Sequence, residues 1–76
     1  MIKPDSQLLN FAHNLTVLRQ QHGLSKTALA KQLHTTVHTL TCLENQDVPR
    51  GMGVEVLFYA AERFGFHAYE LLEMWL

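Results

Sequence analysis

The sequence predicts an all-α fold, a compact domain built from five short helices. Three observations predict it. Apolar residues recur at intervals of three and four along most of the chain, N-cap residues and glycines punctuate that pattern, and no stretch alternates convincingly with a period of two. At 76 residues the chain leaves room for one core and no second domain.

The first helix is expected to open at Asp5 or Ser6, both good N-cap residues, and to run to about Gln21. Leu8, Phe11, Ala12, Leu15 and Leu18 share one face of it, and Gly23 supplies the positive φ that closes such a helix. Ser25 caps a second helix whose inward stripe is Leu29, Ala30 and Leu33. After a short break at His34-Thr35, Thr36 caps a third helix from Val37 to about Asn45, with Leu40 and Leu43 inward. Two glycines and a proline between Gln46 and Gly53 mark an ordered loop. A fourth helix is predicted from about Val54 to Phe64, with Leu57, Phe58, Ala61 and Phe64 inward and Gly65 as its stop. The last runs from Ala68 toward Leu76 and carries Tyr69, Leu72 and Trp75 in one register.

Composition sets limits on function. Six Lys+Arg face seven Asp+Glu, a formal net charge of -1, so bulk charge does not favour a polyanionic partner. Five histidines add little positive charge at neutral pH. At 47% hydrophobic the chain is too apolar for disorder, yet no run approaches a membrane span. The start, Met-Ile-Lys-Pro-Asp-Ser, lacks a signal-peptide layout, and one cysteine makes neither an internal disulfide nor a Cys-x-x-Cys zinc pair. The expectation is a cytoplasmic chain. A Gly-rich phosphate loop, a nucleophile-base pair and an inward carboxylate pair are all missing from the sequence, so an enzyme and a cofactor are not expected.

The stretch from Lys26 to Leu43 is the informative one. Two short helices joined by a tight turn form a helix-turn-helix, which needs a small residue where the helices cross, a turn residue tolerant of left-handed φ, and apolar anchors on the second helix. Ala30, His34, and Leu40 with Leu43 meet those needs in turn. Here the chain resembles the Cro/phage-repressor (XRE-type) helix-turn-helix family. The resemblance covers about Asn10 to Leu72, leaving residues 1–9 as an N-terminal extension. It runs through Leu-Arg-Gln-Gln-His-Gly-Leu-Ser-Lys (18–26), Leu-Ala-Lys-Gln-Leu (29–33), Thr-Leu-Thr-Cys-Leu-Glu-Asn (39–45) and Phe-Gly-Phe-His-Ala-Tyr-Glu-Leu-Leu (64–72).

The resemblance implies a lambda-repressor-like fold and a repressor-like transcriptional regulator that binds double-stranded DNA as a dimer. It also implies an ion pair between Arg19 and Glu44 locking the first helix to the third. The helix from Val37 would enter the major groove and present Thr36, Val37, His38, Thr41 and Cys42. Lys26 and Thr27 would approach a phosphate or a base, and Ser25 and Arg50 would meet phosphates. The chain departs from the family in its base-reading residues: Lys26, Val37, His38 and Cys42 stand where Gln, Arg or Ser are common. Amide readout of adenine is lost there, while Val37 and the Thr36 methyl suit thymine methyls and a His38 N–H suits guanine. Such a surface implies modest affinity or greater reliance on DNA shape.

Other readings of the same residues are plainer. His34, His38 and Cys42 recur every four residues, but His34 belongs to the turn, so no zinc site is expected. Cys42 has no evident basic neighbour and reads as a small neutral surface residue. His13, His22 and His67 read as solvated or capping groups. Leu71, Leu72, Met74, Trp75 and Leu76, with Met52, exceed what one stripe requires and offer a dimer surface, unless Trp75 folds back onto the first helix. The competing functional class is a protein-interaction or antitoxin-like module on the same fold, without DNA readout.

Overall fold

The computed structural model describes residues 4–49 and 52–76. Five α-helices follow in order: α1 (Pro4–Gln21), α2 (Lys26–Gln32), α3 (Val37–Glu44), α4 (Glu55–Phe64) and α5 (Ala68–Glu73). The fold is all-α, with no strand among the described residues. Its radius of gyration is 11.2 Å, against roughly 11.4 Å expected of a globule this long. None of the described helices is long and apolar enough to cross a membrane. Arg50, a predicted phosphate contact, lies outside the described residues.

Four of these helices stop in the same way. After each comes one residue with positive φ, and the next N–H reaches back five residues. Gly23, His34, Gln46 and Gly65 take φ of 64°, 55°, 60° and 77°. The returning bonds are Leu24 N–H to the Arg19 carbonyl, Thr35 to Ala30, Asp47 to Cys42 and Phe66 to Ala61, all 2.9–3.0 Å. This 6→1 closure satisfies carbonyls that the helix leaves open and turns the chain sharply. At the opposite ends, Ser25 Oγ accepts the Ala28 N–H at 3.1 Å and Thr36 Oγ1 accepts the Thr39 N–H at 3.2 Å. A capped start and a left-handed stop thus bound α2 and hold the turn into α3 short.

The core is drawn from every helix. Phe11, Ala12, Leu15 and Leu18 of α1 meet Leu29, Ala30 and Leu33, then Leu40 and Leu43 of α3, Val56, Ala60 and Ala61 of α4, and Leu71 of α5. The stripes predicted for α2 and α3 are buried as expected, whereas Leu8 at the start of α1 is only partly covered.

Two predicted faces are corrected. On α4, Phe58 points outward with 58% of its surface exposed, while Val56 and Ala60 face inward and Leu57 and Phe64 are half-buried. Small residues at 60 and 61 let α4 approach the core closely, and that rotates the larger Phe58 ring to the rim. On α5, Leu71 is the buried residue, whereas Tyr69 and Trp75 are exposed. The helix ends at Glu73 rather than running toward Leu76, because α1 takes over its last hydrogen bonds. Asn14 Nδ2 donates to the carbonyls of Leu71 and Met74 at 2.9 and 2.8 Å, and Asn14 Oδ1 accepts the Leu76 N–H at 2.9 Å. One turn earlier, Asn10 Nδ2 donates to the Leu72 carbonyl at 3.1 Å. The tail leaves helical geometry at Met74 (ψ 166°), so Trp75 never joins the register of Tyr69 and Leu72.

Trp75 instead lies flat on His13, with ring centroids 3.5 Å apart and planes 2° from parallel. His13 is therefore neither solvated nor a cap, and its Nε2 is buried without a hydrogen-bond partner. His22 packs against Phe64, and the His67 N–H at the start of α5 donates to Glu70 Oε1 at 2.8 Å. The expected apolar excess of the C-terminal segment divides: Leu71, Leu72, Met74 and Met52 pack on the core, while Trp75 and Leu76 remain exposed.

Candidate nucleic-acid interface

The candidate site is the outer side of α3 together with the start of α2. Leu40 and Leu43 anchor α3 against the core, so the opposite side of the same helix faces out. Thr36, Val37 and His38 are exposed there, with Thr41 and Cys42 half-buried behind them. Ser25 and Thr27 are exposed on either side of Lys26, which is half-buried. Neither α2 nor α3 has an acidic residue in its first turn. By helix geometry the first N–H groups of each have no acceptor inside the helix.

One charged cluster fixes the two helices to each other and to α1. Arg19 Nη2 lies 2.7 Å from Glu44 Oε1, and both side chains are largely covered at 18% and 16% exposure. The same guanidinium donates from Nη1 to the Leu24 carbonyl at 2.9 Å, tying the end of α1 to the start of the next loop. A partly desolvated, charge-assisted contact of this kind is stronger than a neutral one and fixes orientation. The other carboxylate oxygen, Glu44 Oε2, is 3.4 Å from Lys26 Nζ. Two cations therefore share one carboxylate, and the cluster keeps one net positive charge.

The contact of Lys26 with α3 is the feature that residue patterns did not reveal. Lys26 Nζ also reaches Thr41 Oγ1 at 3.4 Å, so an ammonium that belongs to α2 stands on the outer side of α3. No periodicity or spacing encodes this, because residues 26 and 44 meet only when the two helices cross.

Of the three evenly spaced residues His34, His38 and Cys42, only the last two come together: His38 Nε2 is 3.6 Å from Cys42 Sγ, one helical turn back. His34, at the turn, rests instead against Tyr59 of α4 with centroids 4.4 Å apart. No group of three or more metal-ligating side chains occurs among the described residues.

Comparison of the chain with protein-family models, with curated proteins and with solved structures returns no match.

The surface so defined has a distinct chemistry. Val37 and the Thr36 methyl are its apolar points, since the Thr36 hydroxyl is occupied by Thr39. Lys26, Thr41 and His38 are its polar points. It can present hydrogen-bond donors and methyl contacts to a flat, acceptor-rich partner, but it cannot offer the bidentate amide that adenine requires.

Proposed function

We propose that the chain is a sequence-specific DNA-binding regulator of the Cro/phage-repressor helix-turn-helix type, repressor-like, acting in the cytoplasm as a homodimer. The observation that carries this reading is the α2–α3 unit itself. A capped helix, a left-handed turn and a second capped helix are bolted to α1 through Arg19 and Glu44, and the outer side of the second helix is left open. That is the arrangement in which a helix can enter a major groove with its N-terminal residues toward base edges. Thr36, Val37, His38, Thr41 and Cys42 form the reading face, Lys26 joins it from α2, and the helix starts at Ser25 and Thr36 lie where backbone N–H groups meet phosphates.

Charge supports a binder of modest affinity. The net charge of -1 gives little long-range attraction, so binding has to rest on contacts made at the surface itself. The open face of Trp75, whose other face lies on His13, suits contact with a second subunit.

Selection from random duplex DNA at low salt tests the reading. The expected result is a two-fold repeated half-site with centres about one helical turn apart, roughly 10 base pairs. Binding should weaken steeply as salt rises, log K falling by about 0.9 for each phosphate neutralised per tenfold increase. A chain that enriches no sequence, or whose binding ignores salt, is not a DNA reader; the interaction-module reading would then replace this one.

A further inference from the structure

We infer that Lys26 reads a guanine edge in the major groove rather than clamping a phosphate; the inference rests on the DNA-binding reading above. A lysine that grips phosphate does so as a free point charge on a flexible stem. Lys26 is not free in that way. Its ammonium is drawn over α3 by Glu44 Oε2 and Thr41 Oγ1, both at 3.4 Å. The carboxylate beneath it is 16% exposed, whereas the Lys26 side chain is 38% exposed, so the cation forms the outer layer of the cluster. Arg19 already balances the charge of Glu44, and Lys26 keeps the positive excess. α3 contains no lysine or arginine of its own, so Lys26 supplies from α2 a cation that α3 lacks.

The hydrogen-bond inventory then selects the base. An ammonium has three donors and no acceptor; one reaches Thr41, while Glu44 Oε2 stands 3.4 Å away as an ion-pair partner without a hydrogen bond of its own. Donors are therefore left for the partner. Because the Thr41 oxygen takes a hydrogen from Lys26, its own O–H is left to donate as a second donor beside the first. Two adjacent donors match the paired acceptors of guanine, O6 and N7. Adenine and cytosine each place an amino group against them, and thymine offers a single oxygen.

The test is binding selection with the full chain and its variants. The parent should enrich a fixed guanine in each half-site. Lys26→Met, which keeps the apolar stem and the Arg19–Glu44 pair, should flatten the preference at that position. The discrimination lost should be roughly 5- to 150-fold, with the slope of log K against log salt unchanged. Lys26→Arg, whose fork also fits O6 and N7, should retain the guanine. Should Lys26→Met fail to fold, Thr41→Val asks the same question by removing one of the two donors at constant shape, and should weaken the same preference. If Lys26→Met lowers affinity for all sequences alike and reduces the salt slope by about one, the residue is a phosphate contact and the proposal is wrong. A selection with Lys26 intact that fixes another base at the position it controls also overturns it, while leaving the DNA-binding reading in place. A parent chain that selects no DNA overturns both.

Discussion

Asn14 shows how much one side chain decides. It is fully buried on α1, yet both ends of its carboxamide are used, two carbonyls on the donor side and one N–H on the acceptor side. Those bonds end α5 and lay the tail along α1. Asn14→Leu keeps the approximate volume and strands all of them. Full desolvation of three orphaned groups would cost several kcal/mol, but the tail can release to water, which limits the expected loss to about 2 kcal/mol. Urea denaturation measures the loss. Trp75, the one tryptophan, should report the released tail by a red-shifted emission as its stack on His13 opens. The contrast with Arg19 is instructive. That residue also joins distant segments, but through charge, and its partner Glu44 is shared with Lys26, so the candidate site and the scaffold draw on the same carboxylate.

At the scale of the elements, helix stops do most of the organising. Four of the five described helices end on left-handed residues, two of them glycines and two not. At Gly65 a Cβ would meet nothing within 4 Å, so the penalty of a side chain there is that of the backbone alone. Gly65→Ala should therefore cost about 1 kcal/mol, read as a lower urea midpoint with unchanged slope. A larger loss, or a changed slope, would mean that the turn between α4 and α5 does more than redirect the chain. His34 holds the same left-handed region without being glycine, and its ring gains a contact with Tyr59 in return. That contact also draws His34 away from His38 and Cys42, although all three are evenly spaced in the sequence.

For the whole molecule the controlling fact is size. A domain of 76 residues has a net stability of roughly 4–11 kcal/mol, a small difference between large terms. Phe11 is completely buried at the junction of the helices, and Phe11→Ala should remove about 3–5 kcal/mol. The variant should lose a large share of the domain's stability, seen as a markedly lower midpoint when urea unfolding is followed by circular dichroism at the helix minimum. A domain this small cannot hide every large apolar side chain. Phe58, Tyr69 and Trp75 stay at the surface because a short helix offers only one face to one core.

The number and order of the helices, the buried stripes of α2 and α3, and the stops at Gly23, His34 and Gly65 were legible in residue spacing, since each depends on neighbours within about one turn. The left-handed Gln46 was not, because glutamine carries no local preference for that geometry and follows where α3 is anchored. Nor was the rotation of α4 or the early end of α5. Those depend on how closely small residues let helices approach and on a carboxamide more than fifty residues away in sequence. The candidate site divides along the same line. Which residues of α3 face outward follows from helical periodicity once Leu40 and Leu43 are placed inward. That Lys26 stands among them was decided by the crossing of α2 over α3, because an ion pair needs proximity in space and sequence distance says nothing about it.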